Sequence, residues 1–179
     1  LYYLAHEKQT KNINKEEDLR DAFIKTAAAE TFLSWQYYKS KHGNDASKLD
    51  EKLEQGDIPP EFLRSMIYTY ADYRDICLGT DISVKQGDVK NAIDNIGKVF
   101  EKEKICEAKK DDKQCREEFW GKYGKNIWEG MLCALSYDTE NQNMDPAMRK
   151  KLTDKNQYST ISPTLEDFAK KPQFFRWFT

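Results

Sequence analysis

The chain has 179 residues, enough for one ordinary domain with its own core or for part of a larger unit. Apolar residues make up 39% and charged residues 34%, with a mean hydropathy of -0.89, which describes helices with heavily solvated outer faces. A net charge of -2 and a pI near 5.8 argue against a dedicated nucleic-acid binder. No run approaches the roughly 20 apolar residues a bilayer requires, and "LYYLAHEKQT" lacks the basic start and apolar stretch of a signal peptide, so any export or anchoring is expected from outside this sequence.

Helical periodicity dominates, and the period-two alternation of a half-buried strand is almost absent, so the fold class is all-α. The first long helix starts near Asn14, with Glu17 reaching back in a box-like arrangement, and ends at Gly43. Leu19, Phe23, Ala27, Ser34 and Tyr37/Tyr38 mark one face; Ile24, Ala28, Thr31 and Trp35 mark another. Such a helix is sandwiched between neighbours, and Ala27 to Ala29 are small enough for one of them to come close. A polar link follows, with a short helix around Leu49 and Leu53. Pro59 and Pro60 open the second long helix, where a missing N–H costs nothing. Phe62, Met66, Ile67, Tyr70, Tyr73 and Cys77 form its core stripe, and Gly79 closes it.

A third helix fits "GDVKNAIDNIGKVFEKEK", with Val89, Ala92, Ile93, Ile96, Val99 and Phe100 inward. After the charged connection "ICEAKKDDKQC", Asp111 or Asp112 opens a fourth through "CREEFWGKYGKNIWEGMLCALSY". Gly121, Gly124 and Gly130 weaken it by about 1 kcal/mol each relative to alanine, so they permit close packing or a local break. Beyond a polar stretch, "SPTLEDFAKK" reads as a short helix capped by Ser162 with Pro163 at its first position. "PQFFRWFT" begins another. A chain ending on Phe174, Phe175, Trp177 and Phe178 reads as a fragment of a larger domain.

Glu30 sits between a triple alanine and a run of aromatics in "FIKTAAAETFLSWQYYKSKHG". An acid–base catalyst is one reading, but no acid, base and nucleophile set and no metal or phosphate motif accompanies it. The favoured reading is a buried or half-buried carboxylate paired with Arg64 or Arg74 of an adjacent helix. Asp72, Arg74 and Asp75 in "YADYRDICLG" read likewise as structural pairing. His6 and His42 sit near polar helix ends, in solvated or capping roles. No enzyme, no metal and no cofactor is expected.

Cys77, Cys106, Cys115 and Cys133 make an even count without a C-x-x-C pair, which fits two disulfides and an oxidising compartment; spacing alone leaves three pairings open. Cys77 with Cys133 would pin two packed helices and stabilise by roughly 4 kcal/mol on the chain-entropy model, and Cys106 with Cys115 would staple the charged connection for somewhat less. That is the expected set. The lysine clusters Lys109/Lys110/Lys113, Lys122/Lys125, Lys150/Lys151 and Lys170/Lys171 are interleaved with acids and read mainly as solvated faces, with sulfated glycan as a lesser reading.

"LRDAFIKTAAAETFLSWQYYKSK" (19–41), "IPPEFLRSMIYTYADYRDICLGTDIS" (58–83), "IWEGMLCALSY" (127–137) and "KPQFFRWF" (171–178) together resemble the Duffy-binding-like domains of Plasmodium falciparum erythrocyte membrane protein 1. The epsilon type is most similar, with zeta and gamma close behind. The resemblance implies a disulfide-stapled helical adhesion domain on the surface of infected erythrocytes, within a larger membrane-anchored protein. Residues 1–160 would be the helical-bundle middle subdomain and 161–179 the truncated start of the third. In the family the Cys77 and Cys133 positions are expected to bridge, whereas Cys106/Cys115 is less typical. The implied function is host-protein binding and antigenic variation, with the Fc region of immunoglobulin M as favoured partner. The alternatives are another endothelial or placental adhesion receptor, chondroitin sulfate, or a spacer without a ligand. Contact residues are expected among the exposed lysines Lys98, Lys102, Lys104, Lys109, Lys110 and Lys113.

Overall fold

The computed structural model describes residues 1–80, 86–103, 111–139, 141–176 and 178, and for residues 44, 102 and 103 the backbone alone. Its described elements are helices joined by one small hairpin, so the protein is all-α, as the periodicity implies. Two short helices, α1 (Tyr2–Ala5) and α2 (Glu7–Thr10), precede the long α3 (Glu16–His42). The start of α3 lies two residues beyond Asn14, and the carboxylate that reaches back is that of Asp18 rather than Glu17. It accepts from the N–H groups of Asn14 at 3.0 Å and Lys15 at 3.2 Å. Gly43 ends the helix with a φ of 49°, where a side chain would be strained.

The short α4 (Ala46–Glu54) buries Leu49 and Leu53, the two residues that mark it in sequence. α5 (Pro60–Leu78) begins on its second proline, and Gly79 closes it in the left-handed region. α6 (Gly87–Glu103) turns Ala92, Ile96, Val99 and Phe100 inward. α7 (Asp112–Leu135) opens on a true capping box: Asp111 accepts from the Gln114 N–H at 2.8 Å, and the Gln114 side chain accepts from the Asp111 N–H at 3.4 Å.

The core is built on α3, α5 and α7. α3 and α7 run in the same direction, since Glu16 at the start of α3 meets Lys122 and Phe32, further along α3, meets Tyr137 just past the end of α7. α5 runs against both. Tyr73 reaches Glu30 while Phe62 lies on Trp35, and Cys77 lies against Arg116 while Tyr70 lies on Trp120 and Trp128. α6 and α1 close the end near Phe100, Phe119 and Leu4.

Two of the three α7 glycines explain the tight packing. A Cβ at Gly130 would stand 2.7 Å from Ile24 Cγ2, and one at Gly124 would stand 2.5 Å from the Tyr70 hydroxyl. The helix does not break at any of them, and Gly121 faces open space.

Past α7 the chain departs from the sequence reading. The polar stretch holds a two-residue hairpin, β1 (Tyr137–Asp138) and β2 (Asn143–Met144), paired antiparallel with Tyr137 opposite Met144. It also holds α8 (Pro146–Lys155), capped by Asp145, whose Oδ1 accepts from Ala147 and Met148. α9 (Tyr158–Ala169) starts four residues before Ser162, which leaves Pro163 inside the helix. The proline deprives Ser159 of a helical donor, and both residues are exposed, so water can replace it. The predicted boundary at 160/161 thus falls within a continuous helix. α10 (Gln173–Arg176) follows.

The glycine geometry gives a paired expectation. Gly121→Ala should stabilise by up to about 1 kcal/mol through helix propensity. Gly130→Ala should destabilise by about 1–3 kcal/mol because Ile24 must move. Urea unfolding of the two variants checks both signs, and equal shifts would contradict the packing.

Candidate functional site

The carboxylate at position 30 is placed differently from its expectation. Glu30 is an exposed residue of α3 that accepts a short hydrogen bond from the Tyr73 hydroxyl. Burial, with the Glu30 charge beside it, holds the Tyr73 phenol well above its ordinary value, so it remains a donor. Neither arginine completes the predicted pair. Arg64 lies over the Tyr68 ring at 5.9 Å, and Arg74 faces Glu166 of α9 at 3.3 Å. The reason is register: α5 presents Tyr73 to α3 and turns Arg74, one position on, toward α9.

The buried charge that sequence reasoning missed is Arg176. It is 1% exposed, and its guanidinium donates to Asp75 Oδ2 at 2.7 Å, to the Ala169 carbonyl at 2.6 Å and to the Lys171 carbonyl at 2.8 Å. Asp72 lies 3.5 Å away, and the Tyr68 hydroxyl donates to the Arg176 carbonyl. One side chain therefore ties α10 and the end of α9 to α5. Phe174, Phe175 and Phe178, the residues whose apolarity drew attention in sequence, are 57–75% exposed. A second buried arginine, Arg116, donates to the Cys77 carbonyl at 2.9 Å and to Asp112 at 2.7 Å, which satisfies the end of α5. Its signal in sequence was the acid four residues earlier.

The Cys77–Cys133 bridge is not formed; both are free thiols. Cys77 packs against Arg116 in the first turns of α7, and Cys133 lies seventeen residues further along that helix. At 1.5 Å per residue that is about 25 Å, far beyond the roughly 7 Å Cα separation a disulfide spans. Burial pushes the Cys77 thiol up to about 12. Cys133 is partly exposed beside Met144, its sulfur 3.3 Å from the thioether. Cys115 is buried and disulfide-bonded, and Cys106 lies outside the described residues.

Among the candidate contact residues, Lys98 is exposed on α6 and lines a shallow cleft with Thr10, Lys11 and Asn95. Lys113 is exposed in the first turn of α7, 3.9 Å from Glu117. Lys104, Lys109 and Lys110 lie outside the described residues, as does the side chain of Lys102. The remaining lysine faces are largely offset. Lys122 meets Glu16 at 3.0 Å, Lys125 meets Glu129 at 3.7 Å, Lys150 meets Asp154, Lys155 meets Asp57 at 2.7 Å, and Lys151 donates to the Glu54 carbonyl at 2.9 Å. His6 accepts from the Lys8 N–H, and the Nδ1 of His42 lies 2.8 Å from the Tyr38 carbonyl, so both histidines serve helix ends.

Among the described residues no group of three or more His, Cys, Asp or Glu is placed to hold a metal, and no helix is long and apolar enough to cross a membrane. The chain matches the family model of the Duffy binding domain over residues 1–176, and it belongs to that family of receptor-binding domains. No curated protein and no solved structure matches it significantly.

Two measurements check this geometry. Arg176→Leu removes a buried ion-pair partner of Asp75 and should cost about 3–5 kcal/mol, whereas Asp75→Leu/Arg176→Leu should cost clearly less than the two single losses added together. In a thiol-labelling time course on native protein, Cys133 should react and Cys77 should not until the chain unfolds. Equal labelling rates would contradict the burial of Cys77.

Proposed function

We propose that this is an epsilon-type Duffy-binding-like domain of Plasmodium falciparum erythrocyte membrane protein 1, displayed on the infected erythrocyte within a larger membrane-anchored protein. Its role is host-protein adhesion and antigenic variation, with the Fc region of immunoglobulin M as favoured partner. The observation that carries this reading is the family match over residues 1–176; the epsilon-like wording of the sequence blocks supports the finer assignment. Residues 1–160 and 161–179 correspond to the middle subdomain and the start of the third. Cys106 is the proposed partner of Cys115, and Lys98, Lys102, Lys104, Lys109, Lys110 and Lys113 are the proposed contacts.

A sulfated glycosaminoglycan such as chondroitin sulfate is the second reading. The lysines favour it by number, but a polyanion would have to displace carboxylates already one turn away from Lys113, Lys125 and Lys150. Surface plasmon resonance of the complete domain over immobilised immunoglobulin M separates the readings. Saturable binding that persists as salt is raised, and that Lys98→Glu weakens, supports the first. Binding to chondroitin sulfate alone, falling steeply between low and physiological salt, supports the second. A spacer role predicts neither.

A further inference from the structure

α3 keeps one face uncovered over its last turns. Ala29, Leu33, Tyr37 and Lys41 recur there at every fourth position, and all of them are exposed. Leu33 at 66% and Tyr37 at 62% are, with the phenylalanines of α10, the most exposed large apolar side chains among the described residues. Trp35, midway between them, lies on the opposite side of the helix and is buried in the core.

The two charges that bound this stripe are ordered, and neither makes an ion pair among the described residues. Glu30 is exposed and accepts from the Tyr73 hydroxyl through Oε2, which leaves Oε1 open. Lys41 Nζ lies 4.5 Å from the centroid of the Tyr37 ring. Their positions have a common centre. Leu33 and Tyr37 lie equally far from position 35, Ala29 and Lys41 do so too, and Glu30 and Lys41 share nearly the same midpoint. A second copy of the helix, antiparallel and related by a twofold axis through that point, sets Leu33 on its Tyr37 while Glu30 approaches its Lys41, and the same contacts occur twice. Each charge then stands about 8–9 Å along the axis from the crossing point. Axes packed about 8–10 Å apart keep such a pair within reach of its two long side chains.

We infer that this face of α3 is a self-association surface, on which a second copy of the chain docks its own α3 antiparallel. Charge complementarity selects this occupant, because a stripe of one sign would call for an unlike partner, whereas one acid and one base placed about a common centre match themselves when reversed. The ridge geometry agrees: a row of residues four apart packs into the grooves beside an identical row. Ala29, opposite Lys41 of the second copy, is small enough to leave room for the lysine stem. The face is short, so the dimer is weak and concentration-dependent, below the size class of stable interfaces. The inference goes beyond the host-adhesion reading and stands whichever host protein is bound.

Sedimentation velocity of the full chain over a concentration series tests this. The wild-type chain should pass from monomer toward dimer as concentration rises. Leu33→Glu, at an exposed position where the fold has little to lose, should weaken the dimer at least about ten-fold. Glu30→Lys alone and Lys41→Glu alone, each of which sets like charges face to face, should each weaken it about three-fold, and the two combined should restore it. Thermal unfolding of every variant separates loss of association from loss of fold. A chain that stays monomeric up to about 1 mM, association that Leu33→Glu leaves intact, or a double reversal no better than the single ones would each overturn the inference. So would a monomeric chain whose immunoglobulin M binding is lost in Leu33→Glu, since the face would then belong to the host protein. A dimer that behaves as stated while no host protein binds leaves this inference standing and removes the adhesion reading alone.

Discussion

The fold depends first on how closely α3 and α7 approach each other. Gly130 has no side chain to hold Ile24 away, and Gly124 leaves the Tyr70 hydroxyl a place between α5 and α7. Side chains on glycine-free helices keep axes about 8–10 Å apart, so these two positions decide the register of the bundle. Glu16, the first residue of α3, meets Lys122 well inside α7, so the two parallel helices are staggered and their ends fall out of step. α7 stops at Leu135, while α3 continues to His42. The overhanging turns, Trp35 to Lys39, are covered by Phe62 of α5, by α4, and by the hairpin and the start of α8.

The helices that were legible in the sequence carry both an apolar stripe and local punctuation. α5 has Pro60 and Gly79 around a stripe from Phe62 to Cys77, and α7 has the Asp111–Gln114 box before Cys115 and Phe119. α8 escaped because it buries only Leu152, so no stripe reveals it. Its Asp145–Pro146 start was nonetheless a cap followed by a first-turn proline. α9 was misread at its start for the opposite reason. Ser162–Pro163 looks like a beginning, but Tyr158 bonds the Tyr70 hydroxyl at 3.0 Å and carries the helix back by a turn. Tertiary contact overrode local signal.

Charge pairing was legible in kind but not in partner. That a carboxylate in a helical core must be matched follows from desolvation alone. Which side chain does so depends on the rotation of α5, where the adjacent residues Tyr73 and Arg74 face α3 and α9 respectively. The Cys77–Cys133 pairing failed on the same ground, because two helices that pack tightly can still hold two residues at opposite ends. Arg176 was hidden among four aromatics whose apolarity drew the attention in sequence. A guanidinium has donors enough to serve both the carbonyls of Ala169 and Lys171 and the carboxylate of Asp75, so one buried charge joins three groups. The phenylalanines offer no such closure.

This arrangement also bears on how such a surface discriminates. With a net charge of -2 and basic and acidic residues in near balance, the long-range field is weak, and approach of a partner is not steered strongly from a distance. Selectivity then has to come from short-range features, where a local imbalance is held in a shape. Offset charges on an open helix face adapt to almost any neighbour and distinguish few. A polar group held in place by the fold rejects a wrong partner because that partner leaves it unpaired. A scaffold pinned by interior arginines can vary its exposed residues freely while such a geometry stays in place, because the groups that define the shape are not the groups that meet solvent.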